Sequence, residues 1–79
     1  MTGNGVIDMG FDMSAMAAKL RGKRAEADLS QAEASEMAGI NITTLSKYEA
    51  GDIVPSAEKV FKLAEVYGCT PNDLIGWSN

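Results

Sequence analysis

The sequence contains no histidine and only one cysteine, Cys69. A single cysteine cannot form an internal disulfide framework, and without histidine the chain has no plausible zinc site. The cysteine usage fits a reducing, cytoplasmic environment, and nothing in the composition calls for a cofactor or a metal. Long apolar runs and a basic region followed by an apolar one are also missing, so we expect no membrane span and no signal peptide.

Positive charge is scarce as well. The chain has 7 lysine and arginine residues against 11 aspartate and glutamate residues, which gives a net charge of -4. This balance disfavours non-specific binding to polyanions, although the distribution of charge matters more than its sum. No acid–base constellation, phosphate-binding loop or metal cluster indicates an enzyme. The length of 79 residues is enough for one small domain.

The sequence does contain a series of helix signals with short connections. Residues 1–12 hold three glycines and no helical period, which predicts a flexible segment before a domain over residues 13–79. From Met13 onward, apolar residues recur at steps of three and four, which is typical of a helix. Four further helices are indicated by capping residues, prolines and glycines, over residues 31–38, 42–50 and 57–67 and within TPNDLIG. The predicted fold is therefore all-α, with five helices.

Two charged residues fall on helix faces that should be buried. Arg24 lies on the apolar stripe of the first helix with Leu20, and Glu49 shares a face of the third helix with Leu45 and Tyr48. Buried charges are rarely left unpaired, so we expect Arg24 and Glu49 to form an ion pair between these helices. The alternative is that each side chain reaches water separately at the rim of the core.

The opposite face of the third helix is small, polar and singly basic. It presents Thr43, Ser46, Lys47 and Ala50, with no bulky side chain to prevent close approach to a surface. Such a face suits a helix in a DNA major groove, where short polar groups reach base edges and lysine reaches a guanine or a phosphate. An ordinary solvated face fits the pattern equally, so this face alone does not establish DNA binding.

The chain contains three segments in a characteristic order: KLRGKRAEADLSQAEASEMAG, INITTLSKYEAG and PSAEKVFKLAEVYGCTPNDLIG. With these segments in register, residues 16–76 resemble the phage-repressor-type (Xre/Cro-like) helix-turn-helix family. Each element is weak alone, but together they span about three quarters of the chain. The resemblance implies a five-helix lambda-repressor-like fold, in which the second helix straddles the DNA backbone and the third enters the major groove.

The resemblance also implies roles for individual residues in DNA binding. Gln31 matches the position that grips a phosphate and braces the reading helix, beside the amides that open the second helix. Arg21 and Lys23 remain as basic residues that could attract the DNA backbone. The positions that match base-reading residues, with Ser46 nearby, are Asn41, Ile42, Thr43, Thr44 and Lys47.

The resemblance also has implications for assembly, and the sequence departs from the family pattern at several positions. Small members usually dimerise through the last helix and tail, which makes Leu74, Ile75 and Trp77 the interface candidates. Arg24 and Glu49 match an internal ion pair of the family, in agreement with the argument from their faces. The loop that relatives often make basic is Asp52-Ile53-Val54 here, and Ala50 replaces a phosphate-binding polar residue, so we expect a modest electrostatic grip on DNA.

Two functional hypotheses follow. The first is a sequence-specific DNA-binding transcriptional regulator, expected to be a repressor, that binds a short palindromic operator as a homodimer. The second is a protein-interaction module on the same scaffold, such as an antitoxin-like subunit or an immunity partner. The acidic balance and Asp52 favour the second hypothesis. Gln31, Lys47 and the matched third helix favour the first, which is our prediction.

Overall fold

The computed structural model describes residues 12–75, which form a bundle of five helices without a strand in that range. The prediction of an all-α fold with five helices is confirmed. Of the segment predicted to be flexible, only Asp12 is among the described residues. The helices are α1 (Met13–Glu26), α2 (Gln31–Ala38), α3 (Ile42–Ala50), α4 (Ala57–Tyr67) and α5 (Pro71–Ile75).

The helices begin where a side chain can accept an amide hydrogen of the first turn. Asp12 caps α1 in this way, because its Oδ1 accepts a hydrogen bond from the amide of Ser14 at 2.9 Å. Ser30 accepts from the amide of Glu33 at 3.0 Å, and the Glu33 carboxylate accepts from the amide of Ser30 at 2.8 Å. Thr70 and Asp73 form the same reciprocal pair at the start of α5. These bonds satisfy amides that a helix leaves without partners at its start.

The turn between α2 and α3 depends on Gly39. Its φ of +69° lies in the left-handed region, which glycine adopts without the steric cost that a side chain would add. The amide of Ile40 then donates to the carbonyl of Ser35 at 2.9 Å, and the Ile40 side chain is buried. This hydrogen-bonded end of α2 is followed by α3 within three residues, so the turn fixes the two helices relative to each other.

The core lies between α1, α3, α4 and α5, each of which contributes one completely buried leucine. Helix α2 contributes small side chains, Ala34 and Ala38, so it packs closely on its neighbours. A fully buried leucine contributes roughly 1.5–3 kcal/mol relative to an exposed one, so these side chains supply much of the stability. The four are Leu20, Leu45, Leu63 and Leu74.

The burial of Leu74 corrects one expectation about assembly. Its side chain is 0% exposed and packs inside the protomer, so it cannot also contact a second subunit in this fold. The prediction that Leu74 belongs to a dimer interface is therefore wrong. Ile75 is only partly buried and lies against the same core, while Trp77 lies outside the described residues.

Candidate nucleic-acid interface

Glu49 holds α3 against both α1 and α2. Arg24 donates from Nε to Glu49 Oε2 at 2.8 Å and from Nη2 to Oε1 at 3.1 Å, which makes a bidentate ion pair. Gln31, the first residue of α2, donates from Nε2 to the same Oε1 at 2.9 Å. The hydrogen bond to Glu49 raises the pKa of Arg24, and burial acts in the opposite direction. Three helices therefore meet at one carboxylate whose side chain is 3% exposed.

A second arginine of α1 reaches the main chain of the same residue. Arg21 donates from Nη1 to the backbone carbonyl oxygen of Glu49 at 2.6 Å. This carbonyl lies in the last turn of α3, where the helix itself no longer supplies amide partners. The guanidinium also places positive charge at the negative end of the helix dipole. Helix α1 thus holds α3 through both the side chain and the backbone of Glu49.

The outer face of α3 carries the residues predicted to read bases. Asn41 caps the helix, because its Oδ1 accepts from the amide of Thr43 at 2.8 Å, and its side-chain NH₂ group keeps its two donors. Ile42 is 45% exposed, so its apolar side chain faces solvent at the start of the helix. Lys47 is exposed, and no carboxylate within residues 12–75 lies at ion-pair distance from it. Of the remaining predicted residues, Thr43 and Ser46 are exposed and Thr44 is half-buried.

The start of α2 is the predicted phosphate site, and its groups are already partly engaged. Gln31 is half-buried and uses one N–H of its side-chain amide on Glu49, so the brace between α2 and α3 runs through Glu49. The Glu33 carboxylate accepts from the backbone amide of Ser30, which lowers the pKa of Glu33. A phosphate at this helix start would therefore lie near a carboxylate, which weakens the attraction of the helix terminus.

The other basic side chains are distributed over α1 and α4. Lys23 lies 3.3 Å from Glu26 on the same helix, and the hydrogen bond between them raises the pKa of Lys23. Lys19 is exposed on α1. Helix α4 adds Lys59 and Lys62, which were not among the predicted DNA contacts. The described residues therefore present no dense basic patch around α3.

An open apolar groove lies beside α4, between the loop that follows α3 and helix α5. Phe61 is 62% exposed and Val54 is 47% exposed, and both line this groove with Ile75. The exposure of Phe61 was not predicted from the sequence. The signal was present, because the buried residues Val60 and Leu63 lie three apart on one stripe and Phe61 falls outside it.

Metal binding and membrane insertion receive no support from the described part of the chain. Within residues 12–75, no group of histidine, cysteine, aspartate or glutamate side chains is arranged to hold a metal ion. None of the helices in that range is long and apolar enough to cross a membrane.

Comparison with known proteins adds to this geometry. A helix-turn-helix family model, HTH_3, matches residues 20–74, a range that begins in α1 and ends in α5. The match therefore includes the capped helices α2 and α3, the turn at Gly39 and the Arg24–Glu49 pair. A search by sequence found no curated protein that matches the chain.

Several solved structures share the fold. The restriction-modification controller protein C.AhdI from Aeromonas hydrophila superposes with a TM-score of 0.76 at 25% identity, over 80% of this chain and 96% of that one. The clp gene regulator ClgR from C. glutamicum gives 0.75 at 25% identity, over 80% and 81%. The P22 c2 repressor in complex with a synthetic operator gives 0.71 at 25% identity, over 76% and 91%.

Proposed function

The chain belongs to the phage-repressor-type (Xre/Cro-like) helix-turn-helix family, and from that premise we propose that it is a sequence-specific DNA-binding transcriptional regulator. It binds a short palindromic operator as a homodimer, places α3 in the major groove, and represses by occluding the site. The regulators and the operator-bound repressor among its structural neighbours support this function over an enzymatic one.

The observation that carries the proposal is the division of α3 into two faces. Leu45, Tyr48 and Glu49 are buried against the rest of the protomer, so the helix cannot rotate without breaking core contacts and the ion pair. The opposite face is exposed, free of large aromatic side chains and bears the cation of Lys47. A rigidly held helix with a short polar face and one cation can follow the edges of bases in a major groove.

We assign the DNA contacts to two groups. Side chains at the start and along the outer face of α3 read bases, with Lys47 as the main charged reader. Ile42 is apolar, so at its position only contact with a thymine methyl group is available. Gln31 and the amides at the start of α2 hold a phosphate and set the register of the protein on the duplex. The base-reading group comprises Asn41, Ile42, Thr43, Thr44, Ser46 and Lys47.

A palindromic site requires a two-fold dimer, and the apolar groove beside α4 is the surface we propose for the contact. Phe61 and Val54 expose apolar area there, and Ile75 extends it along α5. Glu58 and Lys62 lie on the exposed side of α4, one turn before Phe61 and immediately after it. In a two-fold contact that brings Glu58 of one subunit near Lys62 of the other, the reverse pair forms as well, so these opposite charges can pair twice between subunits.

Selection from random DNA duplexes, followed by sequencing, tests the proposal. The protein should enrich one sequence at low salt, with two inverted half-sites centred about 10 base pairs apart, as expected when two copies of α3 enter successive major grooves. A parallel selection without protein removes sequences that amplify well by themselves. If repeated rounds enrich no sequence, the fold serves a protein partner instead, which is the function that the acidic composition favours.

A further inference from the structure

We propose that Arg21 is a positioning residue for the reading helix, so that it sets base selectivity instead of gripping a DNA phosphate. The inference rests on the proposed function. On its charge alone, Arg21 would be counted among the residues that contact the DNA backbone.

The first support is the convergence of two arginines on one residue. Arg21 and Arg24 are one turn apart on α1, and both end at Glu49 of α3. Arg24 binds the carboxylate, which is separated from the helix backbone by the rotatable bonds of the Glu49 side chain. Arg21 binds the backbone carbonyl at 2.6 Å, so it restrains the helix itself. The two contacts together limit both the rotation and the tilt of α3 on α1.

The second support is the close approach of the two backbones at the end of α3. A Cβ atom placed on Gly51 would lie 3.7 Å from Cβ of Ala17 and 3.8 Å from the carbonyl oxygen of Met13. A side chain at this position would therefore reach α1 at van der Waals distance, which places the end of the reading helix close to α1. Arg21 closes this junction by occupying a carbonyl that α3 leaves without an intrahelical partner.

The junction is connected to the main reader through the last turn of α3. The amide of Asp52 donates to the carbonyl of Lys47 at 2.9 Å, and the amide of Gly51 donates to the carbonyl of Tyr48 at 3.2 Å. If the contact of Arg21 with Glu49 is lost, this turn can fray, and the backbone of Lys47 is then no longer fixed. Base recognition depends on such placement, because a contact to a base edge requires correct distance and direction.

Hydrogen exchange in the free protein tests the anchor without DNA. The variant Arg21→Met keeps the aliphatic stem but removes the donor, and Lys19→Met removes a neighbouring exposed cation of α1 as the matched control. We expect the amides of Gly51 and Asp52 to exchange at least about three-fold faster in Arg21→Met than in Lys19→Met, as local opening becomes easier. Equal exchange at these amides in the two variants would overturn the proposal.

The effect on base selectivity is tested by measuring how the same two variants bind a selected operator and a mismatched one. The temperature is one at which circular dichroism shows that both variants are folded. Arg21→Met should lower the ratio of matched to mismatched affinity about five-fold or more, comparable to the loss of one base contact. Its log–log salt slope should match that of Lys19→Met. A slope shallower by about one with the ratio unchanged identifies a phosphate contact and overturns the proposal. If selection yields no operator, the proposed function fails, while the exchange measurement still decides the anchor.

Discussion

The carboxylate of Glu49 is buried on the inner face of α3, and hydrogen bonds from neighbouring side chains replace the water that it loses. Removing an ion from water costs several kcal/mol, which is offset only when the geometry is good and other hydrogen bonds complete the shell. Here the carboxylate accepts two hydrogen bonds from Arg24 and one from Gln31. The fully formed network fixes the orientation of α3, whereas a partly formed one would leave a charge without compensation.

Breaking the ion pair from one side should destabilise the protein strongly. Arg24→Met leaves the Glu49 carboxylate buried with one neutral donor, and Glu49→Leu leaves the guanidinium half-buried without its partner. Each single change should lower the free energy of unfolding by about 3–5 kcal/mol, and the double variant should recover part of this loss. Urea unfolding followed by circular dichroism measures all three. If each single variant lies within about 1 kcal/mol of the parent, the pair behaves as a surface contact.

Tyr67 makes stability sensitive to alkaline pH. Its hydroxyl is buried without a hydrogen-bond partner among the described residues, and burial raises the pKa of the phenol to about 12. Because this pKa lies above the ordinary value of about 10, ionisation of the phenol favours the unfolded state. Stability is therefore independent of this ionisation below pH 10 and falls as the pH rises towards 12, by at most about 3 kcal/mol.

The variant Tyr67→Phe should therefore be at least as stable as the parent near pH 7, since it removes an uncompensated polar group. It should also lose less stability between pH 10 and pH 12. Urea unfolding of both proteins across this range is the measurement. A variant that is less stable near pH 7 by more than about 1 kcal/mol would show that the hydroxyl has a partner in solution.

At the scale of the element, α3 begins at a residue with two assigned functions. Asn41 caps the helix through its oxygen and is proposed to read a base through its NH₂ group. Asn41→Ser keeps a capping oxygen, so its stability should match the parent, while binding to the operator weakens at one base pair. Asn41→Ala should also lose about 1 kcal/mol of stability. Thermal unfolding and operator titration separate the two effects, and equal binding by the serine variant and the parent would restrict Asn41 to capping.

The helices themselves could be predicted because their signals are local. Each begins at a polar cap, and α2, α3 and α4 end at a glycine, so a few neighbouring residues decide each boundary. The pairing of Arg24 with Glu49 was also accessible, since both charges fall on apolar stripes and few other partners exist. These inferences need only the helical period and the cost of a buried charge.

Other features could not be read from the pattern. Arg21 binds a backbone carbonyl, and every residue has one, so no sequence signal marks the acceptor. Leu74 lies in a helix of five residues, which is too short for a period to separate an inner face from an outer one. The family resemblance predicts that Gln31 braces α3, but its acceptor, Glu49, lies 18 positions away and depends on how α2 and α3 pack.

At the scale of the whole molecule, the apolar groove beside α4 is the proposed dimer contact. Phe61→Ser should shift the protein from dimer to monomer at micromolar concentration, because it removes the largest exposed apolar side chain of that surface. Met37→Ser is the matched control, as Met37 is 59% exposed on α2, away from the groove. Sedimentation velocity distinguishes the states. A parent that stays monomeric as its concentration rises, or a Phe61 variant that remains dimeric, would refute this interface.

The net charge of -4 constrains how the molecule can bind DNA. Attraction to the phosphate backbone supplies most of the affinity of non-specific binding, and an acidic protein has little of it. Selectivity must then come from contacts between the exposed face of α3 and base edges.

The most direct test compares Lys47→Ala with Lys19→Ala on a selected operator and on the same operator with one base pair changed. If Lys47 reads a base, its loss should cost about 1–3 kcal/mol on the matched site and remove the preference at that base pair. Lys19→Ala should weaken binding to both sites equally. Equal losses on both sites for both variants would contradict the account, because α3 would then not read sequence.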